Sequence, residues 1–548
     1  MNDLPSLVVS ELINRRKLPE DILELIYLLL QREEKDEYRT LEYQKEYASI
    51  EQLCVAYIEA IDSILSRLPP LRNQLTTTIG DLAGIAPNHI LSLNKTRYYG
   101  FYLSDAQYFK ERELANAKPY GIWKDILSFR VGFDLFQASR YQHTFILGQT
   151  GSGKTELIKK LITHDLDTTA ALIVMAPKGN LIPDIERLGT IDSDRLILVH
   201  PDNPIALNLF DMKGDVNNVV GLINYVFSSI LDAETTSKQT SLLNYCIRLL
   251  LAAKGTILDL RTLMKSEKLP EEYELYLPQL SDNAQEFFAE QFANKKTYGE
   301  TKDQILWRLD LLLENTIVEQ IFSQPKTTLD MNSVMAGGKI LLVDTSIKSL
   351  GDMGSSFLGR FFIALVSLAT VQRDTSKPLR PVYFYIDEAS LYLDEKIEGL
   401  LERARESKLG LTIATQQLSQ LRKVSPNLEA SVLTNTGTKF VGACSHDDAT
   451  RLSHALQVDA TTLEHQPNLN FYLHSKGLTK RAISIPIPAG HMDKLPKRTD
   501  EELAFIVEEN RARYVVNTRP PKKTAPPKQA PQQSAPIPDD DIESLNKS

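Results

Sequence analysis

The residues with the clearest chemical meaning form the run Gly148, Gln149, Thr150, Gly151, Ser152, Gly153, Lys154, Thr155. It fits G-x-x-x-x-G-K-[ST] and follows directly on the apolar residues Thr144 to Leu147. Glycines at 148, 151 and 153 let backbone N–H groups curl round phosphates at a helix N-terminus, where the dipole also favours an anion. Lys154 is expected to reach the β- and γ-phosphates of ATP, and Thr155 to ligate Mg²⁺. A glycine-rich turn with a surface lysine has the same composition. The strand before the run and the helix-like ELIKKLI after it, opening on Glu156, favour the phosphate loop. The nucleotide-binding set is therefore Gly148 to Glu156.

A second signal is PVYFYIDEAS, where an apolar strand ends in Asp387 and Glu388. Two acids after a strand are, taken alone, most simply a helix cap and its first turn. Downstream of a phosphate loop they fit another chemistry: Asp387 holds Mg²⁺ through its water shell, and Glu388 polarises the water that attacks the γ-phosphate. A third is ATQQ, with Gln416 and Gln417 at the end of the next apolar strand. A glutamine there can sense the γ-phosphate or orient water; elsewhere it is simply solvated. Between these two signals LLERARESK offers Arg403 and Arg405. Such arginines on a helix face ordinarily pair with nearby acids, here Glu402 and Glu406.

The elements that must position these groups can be read from the apolar runs. HTFIL, AALIVMA, RLILVH, KILLVD, VYFYIDE, LGLTIATQQ and TKFVG are too short for helices and too uniformly apolar for surface strands. Helical segments separate most of them, which predicts an α/β fold with a mostly parallel sheet between helices. Between Val216 and Gln324 the pattern is helical, with LLNYCIRLLLAA and QILWRLDLLLE as apolar cores, and predicts an all-helical insertion. Leu53, Tyr57, Ile61, Ile64 and Leu68 line one helix face before Pro69 and Pro70, so the chain is expected to open with a helical module whose stripe is a small core or a partner-binding face. Residues 95 to 140 read as short strands leading into the main domain. After Asn517 the sequence is rich in Pro, Lys, Gln and Ala and ends in acids, which predicts a disordered tail, either solvated or docking a partner. The expected organisation is a helical module over 1–95, the first part of the α/β domain over 96–215, the insertion over 216–325, the second part over 326–516 and the tail over 517–548.

With 548 residues, 42% of them hydrophobic, the chain is long enough for two or more domains, which excludes disorder as its main character. A net charge of -9 argues against a surface coated in basic groups, but a grip on phosphates inside a pore needs only local positive charge. Cys54, Cys246 and Cys444 are far apart with no metal-ligand spacing, pointing to a reducing, cytoplasmic setting. The longest apolar stretches, including Phe361 to Val371, fall short of the ~18 residues a membrane span needs, so neither a transmembrane helix nor a signal peptide is expected.

The order HTFILGQTGSGKT, APKGNLIPDI, HPDNPIALNLFD, helical insertion, GGKILLVDTS, YFYIDEAS, RARESKLGLTIATQQLSQL, TGTKFVG resembles the RecA-like motor domain of the HerA/FtsK superfamily, most of all the TraG/TraD-like conjugative coupling proteins, over roughly residues 120–490. The resemblance implies a hexameric ring that hydrolyses ATP with Mg²⁺ at subunit interfaces and pumps DNA, single- or double-stranded, in a conjugation-like or mobile-element system, recruited to the membrane by partners. It places Lys154 and Thr155 on the phosphate-loop positions, Asp387 and Glu388 on the strand-end acids, and Gln416 on the sensing glutamine. It also makes Arg405 the arginine that reaches into the neighbouring subunit's site. Rival readings are a genome-packaging ATPase, a type IV secretion ATPase acting on protein, and a nucleotide-dependent adaptor that recruits partners through its N-terminal helices or tail. The sequence departs from the pattern where many relatives carry an acid and it has Ala176, before PKGN.

Overall fold

The computed structural model describes residues 74–83, 130–231, 237–394, 397–479 and 481–514. The expected N-terminal helical module, Cys54 and the tail lie almost wholly outside the described residues. So does most of the 95–140 stretch.

All seven apolar runs are strands of one sheet: β3 (Thr144–Leu147), β4 (Ala171–Ala176), β5 (Leu196–Val199), β6 (Ile340–Asp344), β7 (Val382–Ile386), β8 (Leu409–Thr415) and β9 (Thr438–Val441). They are mutually parallel in the order β9-β3-β8-β7-β4-β6-β5. Every residue of β3, β4, β5, β7 and β8 is buried, which is why these strands read as continuous apolar runs: helices cover both faces. The fold is thus the α/β architecture with a mostly parallel sheet that the alternation implied.

Among the described residues three further strands, β1 (Leu75–Thr78), β10 (Asn470–Ser475) and β11 (Ile483–Pro486), escaped the sequence, while β2 (Arg130–Phe133) falls in the 95–140 stretch read as short strands. β10 and β11 form an antiparallel hairpin on the β9 edge. Their burial alternates, so neither shows an uninterrupted apolar run. β1 and β2 pair as an antiparallel ribbon. β1 falls inside the stretch read as the helical module, and Thr77 ties it to the sheet through a 2.8 Å hydrogen bond from its hydroxyl to the Ser484 carbonyl.

The segment read as an insertion is helical, with its longest helices at Val216–Phe227, Ser237–Ala253 and Glu300–Glu314. Its first helix nevertheless packs on the helix Ile347–Gln372: Phe227 meets Phe357 edge to face at 5.7 Å, and the buried core runs without a break from one to the other. Ile347–Gln372 is long and apolar enough to cross a bilayer, but 89% of its most apolar window is buried inside the protein, as a core helix requires.

One buried ionic cluster fixes the helix that follows the phosphate loop. Arg140, just before β3, bonds both Asp165 carboxylate oxygens, at 3.1 and 2.8 Å, near the end of the helix Lys154–Leu166. It also donates to the Tyr385 hydroxyl on β7 at 2.8 Å, and that hydroxyl in turn donates to Asp165. Arg140 and Asp165 are 4% and 2% exposed, so removing one leaves the other charge buried and unpaired. Arg140→Met should therefore cost about 3–5 kcal/mol, read from urea unfolding. Adding Asp165→Leu should recover most of that loss. A single variant as stable as wild type would show that the cluster is not dry.

Candidate nucleotide site

The phosphate loop leaves the carboxyl end of β3 and turns at Gly151 and Gly153, whose φ values of 84° and 99° suit glycine and strain other residues. A Cβ on Gly153 would also stand 2.6 Å from the Leu469 side chain. Leu469, just ahead of β10, holds the loop from behind by donating its N–H to the Ser152 carbonyl at 2.9 Å. Lys154 opens the helix, is 8% exposed, and donates to the Gly148 carbonyl at 2.8 Å, so its ammonium lies back across the loop. Burial pushes it below the usual lysine value, opposed by Glu388 and Asp387. The Ser152 hydroxyl is buried without a hydrogen-bond partner.

β8 lies between β3 and β7, so the ends of all three parallel strands come together. Asp387 and Glu388 follow β7 and are 5% and 6% exposed. Burial and the adjacent Glu388 carboxylate push Asp387 up to about 6, against the pull of Lys154. Glu388 takes a left-handed backbone, φ 49° and ψ 45°, a costly conformation for this residue type. Gln416, following β8, bridges the two neighbours. Its Nε2 donates to Glu388 Oε1 at 2.6 Å, and its Oε1 accepts from the Thr150 hydroxyl of the phosphate loop at 3.1 Å. Gln417, by contrast, caps the helix Leu418–Val424.

Two expected residues face elsewhere. The Glu156 carboxylate binds Lys159 at 3.0 Å and accepts from the Gly490 N–H at 2.9 Å, so its side chain braces the loop after β11. Arg405 is exposed in the turn before β8, while the site lies beyond the other end of that strand. At ~3.3 Å per residue the seven residues of β8 put it about 20 Å away. Arg403 donates to the Gly399 carbonyl of its own helix, at 2.8 Å. The turn carrying Arg405 is anchored by buried His143, which precedes β3: its Nε2 meets the Leu401 carbonyl at 2.7 Å and its Nδ1 accepts from the Leu411 N–H at 3.1 Å.

One residue was overlooked. Lys178, in the PKGN that follows β4, brings its ammonium to 3.1 Å from Glu388 Oε1. Its one sequence signal was its place just beyond an apolar strand; that β4 lies beside the acid-bearing β7 comes from the sheet order.

A parallel sheet with a phosphate loop, an acid pair and a bridging glutamine at one edge has the parts of a P-loop nucleotide site. Residues 130–351 match the family model described as the central domain of helicase HerA. No curated protein matches the chain. Among solved structures, the plasmid coupling protein TrwB in complex with ADP and Mg²⁺ is similar at 15% identity and a TM-score of 0.49, covering 67% of this chain and 89% of that one. TrwB with the GTP analogue GDPNP gives 14% and 0.49, over 66% and 88%. VirB4 of Thermoanaerobacter pseudethanolicus gives 12% and 0.42, over 63% and 89%.

Proposed function

We propose that this chain hydrolyses ATP with Mg²⁺ at the interfaces of a homo-oligomeric, hexameric ring, and uses the cycle to move DNA in a conjugation-like or mobile-element system. The observation that carries the reading is the division of the groups between two edges of the sheet. Lys154, Thr150, Gln416 and Glu388 meet at one edge, whereas Arg405 is presented outward at the other. A P-loop site can take its arginine in trans, and Arg405 is presented where a neighbouring subunit could receive it.

The residues present fit the ligands. The loop holds an orphaned buried hydroxyl on Ser152 and a buried ammonium on Lys154, both suited to phosphate oxygens. Thr155 and Asp387 offer an oxygen-only donor set, as Mg²⁺ requires. When bound, the ion neutralises charge on the β- and γ-phosphate oxygens.

Lys154 exchanges the Gly148 carbonyl for phosphate oxygens. Glu388 accepts a proton from the attacking water as its oxygen bonds to the γ-phosphorus and the bond to the β-phosphate oxygen breaks, leaving ADP and phosphate. Gln416, already bonded to loop and acid, orients that water. Arg405 of the neighbour meets the charge that develops on the transferred group.

DNA should stimulate turnover, with an apparent affinity that falls linearly in log–log terms as salt rises, because phosphate contacts release counterions. Steady-state ATPase titrations with single- and double-stranded DNA at several salt concentrations measure this. Turnover indifferent to both polymers would favour a protein cargo instead.

A further inference from the structure

Lys178 belongs to none of the roles assigned above, yet it is the second ammonium at this edge. Its side chain is 56% exposed, while the Glu388 carboxylate it contacts is 7% exposed. The lysine therefore reaches in from solvent over a buried acid. Its backbone is fixed: β4 is paired on both sides, and Pro177 accepts from the Ile347 N–H at 3.1 Å. The side chain extends from that anchored neighbour into solvent.

Two ammonium groups, Lys154 and Lys178, thus face two carboxylates, Asp387 and Glu388. Glu388 Oε1 is shared between Lys178 and Gln416 Nε2. A carboxylate oxygen so engaged is poorly placed to take a proton from water.

We propose that Lys178 is a sensor for the terminal phosphate of a nucleoside triphosphate, leaving Glu388 for the γ-phosphate and so freeing Glu388 to act as base. The inference rests on the nucleotide-site reading given above. A γ-phosphate offers three oxygens and more negative charge than one carboxylate, and a lysine ammonium is a compact, mobile donor suited to exchange between them. A diphosphate provides no such partner, so Lys178 remains on Glu388 and the base remains engaged.

The test is equilibrium binding to the full chain, with Mg²⁺ present, of ADP and of the non-hydrolysable analogue AMP-PNP. Lys178→Ala should weaken AMP-PNP binding by about ten- to a hundredfold, the range for one charge-assisted hydrogen bond, and leave ADP within about twofold. Lys178→Arg, which keeps the charge, should restore most of the AMP-PNP affinity. Because Lys178 is largely exposed, the alanine variant should keep the wild-type melting temperature. If wild type binds both nucleotides and Lys178→Ala changes both equally or neither, Lys178 is only a surface partner of Glu388 and the assignment is overturned. If wild type binds neither, the nucleotide-site reading fails with it.

Discussion

Rings assembled from equal amounts of Glu388→Gln and Arg405→Ala subunits should hydrolyse ATP far faster than rings of either variant alone. Each variant by itself should fall by about 10³-fold or more, since in the proposed mechanism one lacks the group that takes the proton and the other the arginine supplied in trans. In random mixtures about a quarter of interfaces pair an intact Glu388 with an intact neighbouring Arg405, so up to about a quarter of wild-type turnover should return. The position of Arg405 sharpens the outcome: it stands beyond the opposite end of β8 from Gln416 and cannot reach its own subunit's site. Absence of recovery in rings shown to be mixed would therefore remove Arg405 from catalysis altogether. Arg403 would then be the residue to test.

Lys154→Ala should abolish nucleotide binding or reduce turnover by about 10²-fold or more, the loss expected when a preorganised electrostatic contact is removed. It should do so without unfolding the protein. Burial holds the ammonium below the usual lysine value, so the charged form is penalised in the nucleotide-free fold and its removal costs little stability. Isothermal titration with ATP, alongside a thermal melt, separates the two effects. ATPase activity close to wild type would sink the nucleotide-site assignment.

The sequence by itself determined the phosphate loop and the seven strands of the parallel sheet, because both are written in contiguous residues. A loop that wraps phosphate needs its glycines and lysine at fixed short spacing. A strand covered on both faces needs an unbroken apolar run, as VYFYI and LGLTIAT show. The antiparallel hairpin at Asn470–Ser475 and Ile483–Pro486 lacks that signature, since half of its side chains face outward.

What only the tertiary structure decided is which strand ends meet. Thr150 and Gln416 lie 266 residues apart, and Gln416 and Glu388 lie 28 apart. Their contact depends on β8 inserting between β3 and β7, an order that no periodicity encodes. The same placement set Lys178 over Glu388 from a fourth strand and turned Glu156 towards Gly490. It also sent Arg405 to the far edge. Spacing along the chain fixes which edge a strand-end residue occupies, but sheet order fixes its neighbours, and the chemistry of this site resides in those neighbours.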